Sequence, residues 1–199
     1  GNISAQVAYT GVSKRWSYPS LYYTFMERAG DKEVQFVMLD TVMLAGQSQV
    51  KDPSGGADKD LRGVDLPGPE NKADAESQLK WLEDTLKAST ADYLIVAGHY
   101  PIYSVGEHGG TPYLDKHVKP LLLKHNVSAY VNGHDHCAEH IDVGDGIQYH
   151  VVGSAHENDD DKSNKHSIPK GALKFYKGDG NGGFASVSVA DGTMVFEPG

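Results

Sequence analysis

One cysteine, Cys137, stands among 199 residues, so an internal disulfide is excluded and cysteine usage assigns no redox compartment. Long apolar runs are absent as well. No stretch approaches the length needed to cross a bilayer, and no charged-then-apolar segment reads as a signal peptide. Basic residues are outnumbered, 18 Lys and Arg against 27 Asp and Glu, leaving a net charge of -9. So acidic a chain lacks the basic face that phosphate backbones and anionic lipids require, so neither nucleic acid nor a membrane is expected as a partner. An initiator methionine is also lacking. The sequence opens on Gly1, as expected of a chain that has lost a leader or of a fragment.

What is present is ordinary globular composition, 39% hydrophobic and 23% charged, in a length that fits one domain over 1–199. Two sequons, Asn2-Ile3-Ser4 and Asn126-Val127-Ser128, mark Asn2 and Asn126 as glycosylation acceptors and point to the secretory route.

Read in order, Tyr18 to Arg28 is aromatic and extended, and a turn at Ala29-Gly30-Asp31-Lys32 leads into an apolar strand from Glu33 to Asp40. From Ala45 to Asn71 the composition turns to Gly, Pro, Asp, Ser and Lys without periodicity, which predicts a long exposed loop. Ala73 to Leu86 carries Leu79, Leu82 and Leu86 at helical spacing with Trp81 beside them. A strand from Tyr93 to Gly98, a helix from Leu114 to His125 and a strand from Val127 to Asn132 follow. That alternation implies a parallel or mixed sheet with right-handed crossovers. Short alternating segments then suggest antiparallel strands: 138–143, 147–153, 172–176, 183–189 and 193–197.

The chemistry concentrates at two strand ends. His99 closes the run Val96-Ala97-Gly98-His99, and His134 and His136 follow Asn132 in Gly133-His134-Asp135-His136. Ligands of open α/β sheets collect outside the carboxyl ends of strands, so three imidazoles are expected to share one crevice. Neutral imidazole suits iron, zinc, copper and nickel, and the glycine before each histidine is expected to let the backbone turn tightly beside an ion.

These two blocks resemble the last two motifs of the calcineurin-like metallophosphoesterases, and more closely the small purple acid phosphatases of the tartrate-resistant type. Ile3-Ser4-Ala5-Gln6-Val7-Ala8-Tyr9, Ser13-Lys14-Arg15-Trp16, Met38-Leu39-Asp40-Thr41-Val42, Glu107-His108-Gly109 and Gly182-Gly183-Phe184-Ala185 extend the likeness over nearly the whole chain. The resemblance implies an α/β (α+β) fold, an α-β-β-α sandwich of mixed sheets, here with its amino-terminal strands missing. It implies an acid phosphatase acting on phosphate monoesters, a secreted or lysosomal monomer. Its dinuclear centre would pair Fe(III) with Fe(II), Zn or Mn, about 3.5 Å apart, and a metal-bound hydroxide would attack phosphorus.

Carried over residue by residue, His99 and His134 would bind the divalent ion and His136 the ferric ion. His108 would contact phosphate and protonate the leaving alkoxide. The family's earlier blocks, which supply the bridging aspartate, a second aspartate, the tyrosine, the asparagine ligand and another histidine, find no match here. The expectation is therefore a carboxyl-terminal part with little phosphatase activity alone.

The loop over 45–71 resembles the family's repression loop. The positions matching a vertebrate disulfide are Ala45 and Tyr113, so a more mobile loop is expected. Asp135 either orients an imidazole or faces solvent. Strand alternation aims Cys137 with Asp135, away from the histidines, as a buried thiol. Asp159-Asp160-Asp161 reads as a solvated run. Two rival readings stand beside the phosphatase: a phosphodiesterase of the same superfamily, and a non-catalytic secreted or matrix protein that kept the fold.

Overall fold

The computed structural model describes residues 3–56, 59–155, 157–180, 182–190 and 192–198; the Asn2 acceptor lies outside them. After a first helix, α1 (Ile3–Tyr9), β1 (Tyr23–Ala29) and β2 (Lys32–Met38) form an antiparallel hairpin. Gly30 makes their turn with a φ of 64°, a left-handed conformation that costs glycine little. Helix α2 (Thr41–Ala45) follows, its first turn closed by Asp40, whose carboxylate accepts from the Met43 amide.

Helix α3 (Lys72–Ala88) begins at Asn71, whose side chain accepts from the amides of Ala73 and Asp74. It buries Ala75, Gln78, Leu82 and Leu86, while Leu79 and Trp81 pack at the margin. Gln78 can be buried because its amide bonds both ways with the Asp40 backbone, donating at 3.0 Å and accepting at 2.9 Å. The predicted helix over 114–125 is two short ones, α4 (Pro112–His117) and α5 (Lys119–Lys124), joined at Val118. Pro120 explains the break, since it has no N–H to give and its ring crowds the preceding turn.

One seven-stranded mixed sheet collects β1, β2, β5 (Tyr93–Ala97), β6 (Ala129–Asn132), β8 (Gln148–Val152), β7 (Ala138–Ile141) and β9 (Leu173–Lys177), in that spatial order. Strands β2, β5, β6 and β8 run parallel; β1, β7 and β9 run against their neighbours. The segments after His136 thus pair antiparallel as expected, β7 with β8 and with β9, but within the main sheet, where β8 also pairs parallel with β6. Farther along, β10 (Ala185–Ala190) and β11 (Thr193–Pro198) stand apart as a two-stranded sheet.

The pleat gives the large sheet two faces. Val37, Val96, Tyr130, Ile141 and Tyr149 face α3, α4 and α5 and make the core with Leu82, Leu114 and Leu122. On the opposite face His140 stacks on His150, with ring centroids 4.7 Å apart, and His150 stacks on Phe196 of β11 at 4.1 Å. That contact helps hold the β10–β11 hairpin to the sheet. The 45–71 loop carries a short β3 (Gln49–Val50) and β4 (Lys59–Asp60) pairing.

Candidate active site at the carboxyl ends of the parallel strands

Strands β5 and β6 are adjacent and parallel, so the residues just after them emerge side by side. The Gly98 amide donates to Val131 O at 3.1 Å and the Gly133 amide to His99 O at 3.2 Å, tying the two exits together. A side chain at Gly98 would meet Thr41 Cγ2 at 2.5 Å, so close packing requires glycine there. Gly133 corrects the sequence reading. A β-carbon there would have ordinary room, and the left-handed turn falls on His134 itself, at φ 71°. A non-glycine residue in that region is uncommon, and the His134 side chain is buried there.

His134 Nδ1 lies 3.3 Å from His99 Nε2, while His134 Nε2 is buried without a hydrogen-bond partner. Burial, with the charges of His108 and His99, lowers the His134 pKa to about 4; burial, then His136 and His108, also lowers that of His99. Both rings are therefore neutral near pH 7, the form in which imidazole binds metal. His108 joins them, its ring centroid 4.3 Å from that of His134.

His108 has the opposite electrostatics. Its Nδ1 lies 3.3 Å from Asp135 Oδ1, an ion-pair contact poorly aligned for hydrogen bonding, and its Nε2 is 2.9 Å from Asp60 Oδ2. The Asp135 carboxylate, with help from Asp60 and against the effect of burial, raises its pKa to about 9. His108 is thus a fixed cation across the neutral and acid range. Asp60 comes from the 45–71 loop, which is also pinned by Arg62 Nη1 donating to Glu107 O at 2.8 Å and the Gly63 amide donating to His108 O at 2.8 Å.

Asp135 is buried, which rules out the solvent-facing alternative, and it orients His108 rather than the imidazoles beside it in sequence. Its Oδ1 also accepts the His108 amide at 2.7 Å. Beneath lies Ser104, whose hydroxyl touches both Asp135 Oδ2 and, at 2.9 Å, Glu139 Oε1. One hydroxyl has one proton and cannot donate to both. His108 and Ser104 outweigh burial to hold the Asp135 pKa down, whereas burial raises that of Glu139. The Ser104 proton therefore serves one of the two carboxylates at a time. Amides of Val105 and Gly106 and the Cys137 thiol complete the Glu139 shell. Gly106 and Gly153 permit this closeness: a β-carbon would come within 2.7 Å of the Asp135 side chain and 1.8 Å of its carbonyl oxygen, respectively.

His136 lies at the rim of this group, near enough for its charge to lower the His99 pKa. Its side chain is 40% exposed and its Nδ1 is 3.6 Å from Glu157 Oε2. A separation of 3.3 Å between two nitrogens is what two ligands of one tetrahedral ion have, given metal–nitrogen bonds of about 2.0–2.1 Å. The His99 and His134 nitrogens are thus spaced as two imidazole ligands of one ion would be. A dinuclear centre does not fit these residues alone: among the described residues no three or more His, Cys, Asp or Glu side chains are gathered to hold a metal. Sequence reasoning missed Asp60 and the Ser104–Glu139 pair, because such contacts between distant segments leave no local spacing to find. Asn126 is exposed, on a left-handed turn at the other end of β6.

Comparison with known proteins agrees with the geometry. The model of the calcineurin-like phosphoesterase family matches residues 6–138. Tartrate-resistant acid phosphatase type 5 of Sus scrofa is 39% identical over 198 residues, covering 98% of this chain and 55% of that protein. The Homo sapiens protein of the same name is 38% identical over 199 residues, covering 58% of its length. The chain thus spans little more than half the length of these curated relatives. Among solved structures, "GAP50 the anchor in the inner membrane complex of Plasmodium" aligns with a TM-score of 0.75 at 24% identity, covering 100% of this chain and 57% of that one. A purple acid phosphatase from yellow lupin seeds aligns at 0.53 and 15%, covering 89% and 30%.

Proposed function

Because the chain belongs to the calcineurin-like phosphoesterase family, we propose that it forms the carboxyl-terminal part of an acid phosphatase that hydrolyses phosphate monoesters. The observation that carries this reading is the convergence of two neutral imidazoles, His99 and His134, with a cationic His108 at one end of the parallel strands. Iron with a second divalent metal would supply the nucleophile and charge neutralisation, and its remaining ligands would lie in a longer polypeptide. The protein would follow the secretory route to the cell exterior or the lysosome and act as a monomer.

The chain's own residues perform the rest. His108, held by Asp135, presents a positive N–H to the phosphate oxygens and hands a proton to the departing alkoxide, a contribution typically worth about 10²–10⁴-fold. Asp60 competes for the same Nε2, so phosphate gains access when the loop releases it. Acid pH favours the reaction by supplying the substrate monoanion. The test is hydrolysis of an aryl phosphate and a bis-aryl diester by the natural, metal-loaded polypeptide. Preference for the monoester, lost in His99→Ala and His134→Ala, supports the reading. Preference for the diester would favour a phosphodiesterase.

A second reading, a non-catalytic protein that kept the fold, is favoured by the turning of His136 toward Glu157 and the lack of a third ligand among the described residues. A natural chain of 21.5 kDa without turnover would establish it.

A further inference from the structure

At the end of the sheet opposite the imidazoles, α5, the segment leading into β6 and the first residues of β11 leave an open groove of about 450 Å³. Its floor and walls include Tyr93, Leu123, Asn126, Asp145, Thr193 and Met194. Asn126 sits on the lip, exposed, with a φ of 52° that carries the chain from α5 into β6. It is the acceptor of the sequon Asn126-Val127-Ser128, whose Val127 is buried.

Three observations bear on one occupant. The acceptor is on an exposed turn, where the glycosylation machinery needs it. The groove offers an apolar face in Tyr93, Leu123 and Met194 beside polar partners in Asp145 and Thr193, matching a sugar ring with carbon faces and a hydroxylated rim. And the groove is covalently within reach of Asn126, which lines it. A length of β6 and the whole site loop separate it from His134, so a bulky group there leaves the imidazoles open.

We propose that Asn126 carries an N-linked glycan whose first N-acetylglucosamine rests in this groove. So seated, the sugar spans α5 and the start of β11, reinforcing the junction where Tyr93 Oη donates to Gly192 O at 2.5 Å. The glycan would fasten the β10–β11 hairpin to the sheet. This inference is independent of the phosphatase reading.

The test uses the full chain secreted from a eukaryotic host, treated with peptide N-glycosidase in heavy-oxygen water and mapped by mass spectrometry. Hydrogen exchange of the 192–194 segment is followed before and after treatment. Expected are conversion of Asn126 to labelled Asp, its loss in the Asn126→Asp variant, and several-fold faster exchange at 192–194 once the glycan is removed. Aspartate tolerates the left-handed turn, so that variant keeps the fold. An unmodified Asn126 in the secreted protein, or exchange at 192–194 unchanged by the enzyme, would overturn the proposal.

Discussion

At the scale of single residues, the site sorts its histidines by their surroundings. Burial strips His134 of its charge, whereas a buried aspartate keeps His108 charged up to about pH 9. Asp135→Asn should therefore drop the His108 pKa from about 9 toward the ordinary 6.5, read from its ring proton shifts; an unmoved titration would show that Asp135 is not its partner. A raised pKa stabilises the fold fully below 6.5, and that contribution disappears as pH rises through about 9, so the variant's deficit should shrink above pH 9. His150 has the reverse sign. Burial, then the His140 charge, lowers it to about 4, so its contribution is present above 6.5 and is lost as pH falls toward 4. At about 1.4 kcal/mol per pH unit, His150→Phe should recover about 2–3 kcal/mol at pH 4.5 relative to its effect at pH 7. Denaturant midpoints at the two pH values measure this, and equal effects at both would contradict it.

At the scale of elements, what positions the site is the pairing of β5 with β6 and the helical layer behind them. Leu82 is fully buried where α3 meets the core. Leu82→Ala should cost about 2–5 kcal/mol in urea unfolding, and a loss below about 1 kcal/mol would mean that α3 is not part of the core. These elements were legible in the sequence because each has a strong local signal: the apolar runs of β2, β5 and β6, the Leu stripe of α3. The split between α4 and α5 was written in Pro120 but was outweighed by the apolar pattern across it. The long loop reads as polar and aperiodic, yet it contains the β3–β4 pairing and delivers Asp60 to His108. Nothing local to Asp60 announces that contact, which depends on how far the loop folds back.

At the scale of the whole molecule, the strand-end spacing put His99, His134 and His136 in one crevice and the family resemblance added His108; the structure brings His99, His134 and His108 together. His99, His134 and His108 meet because two parallel strands and one connecting loop end at the same edge; His136, on the same turn as His134, is 40% exposed and contacts Glu157 at 3.6 Å. Periodicity reports which strand ends coincide, not which way a ring leaves a strained turn. The buried Ser104, Asp135 and Glu139 system binds that loop to the sheet and explains why a polar cluster survives in the interior. On the proposed reading, His99 and His134 would serve as two metal ligands and His108 as the acid, and these residues alone do not complete a dinuclear centre. Metal content and aryl-phosphate turnover of the 199-residue chain, saturated with iron and zinc, decide the matter. One bound ion at most per chain, lost in His134→Ala, with turnover far below the usual enzyme range of about 1–10³ s⁻¹, is the expected result. Two ions per chain with turnover inside that range would show that these residues complete the centre by themselves.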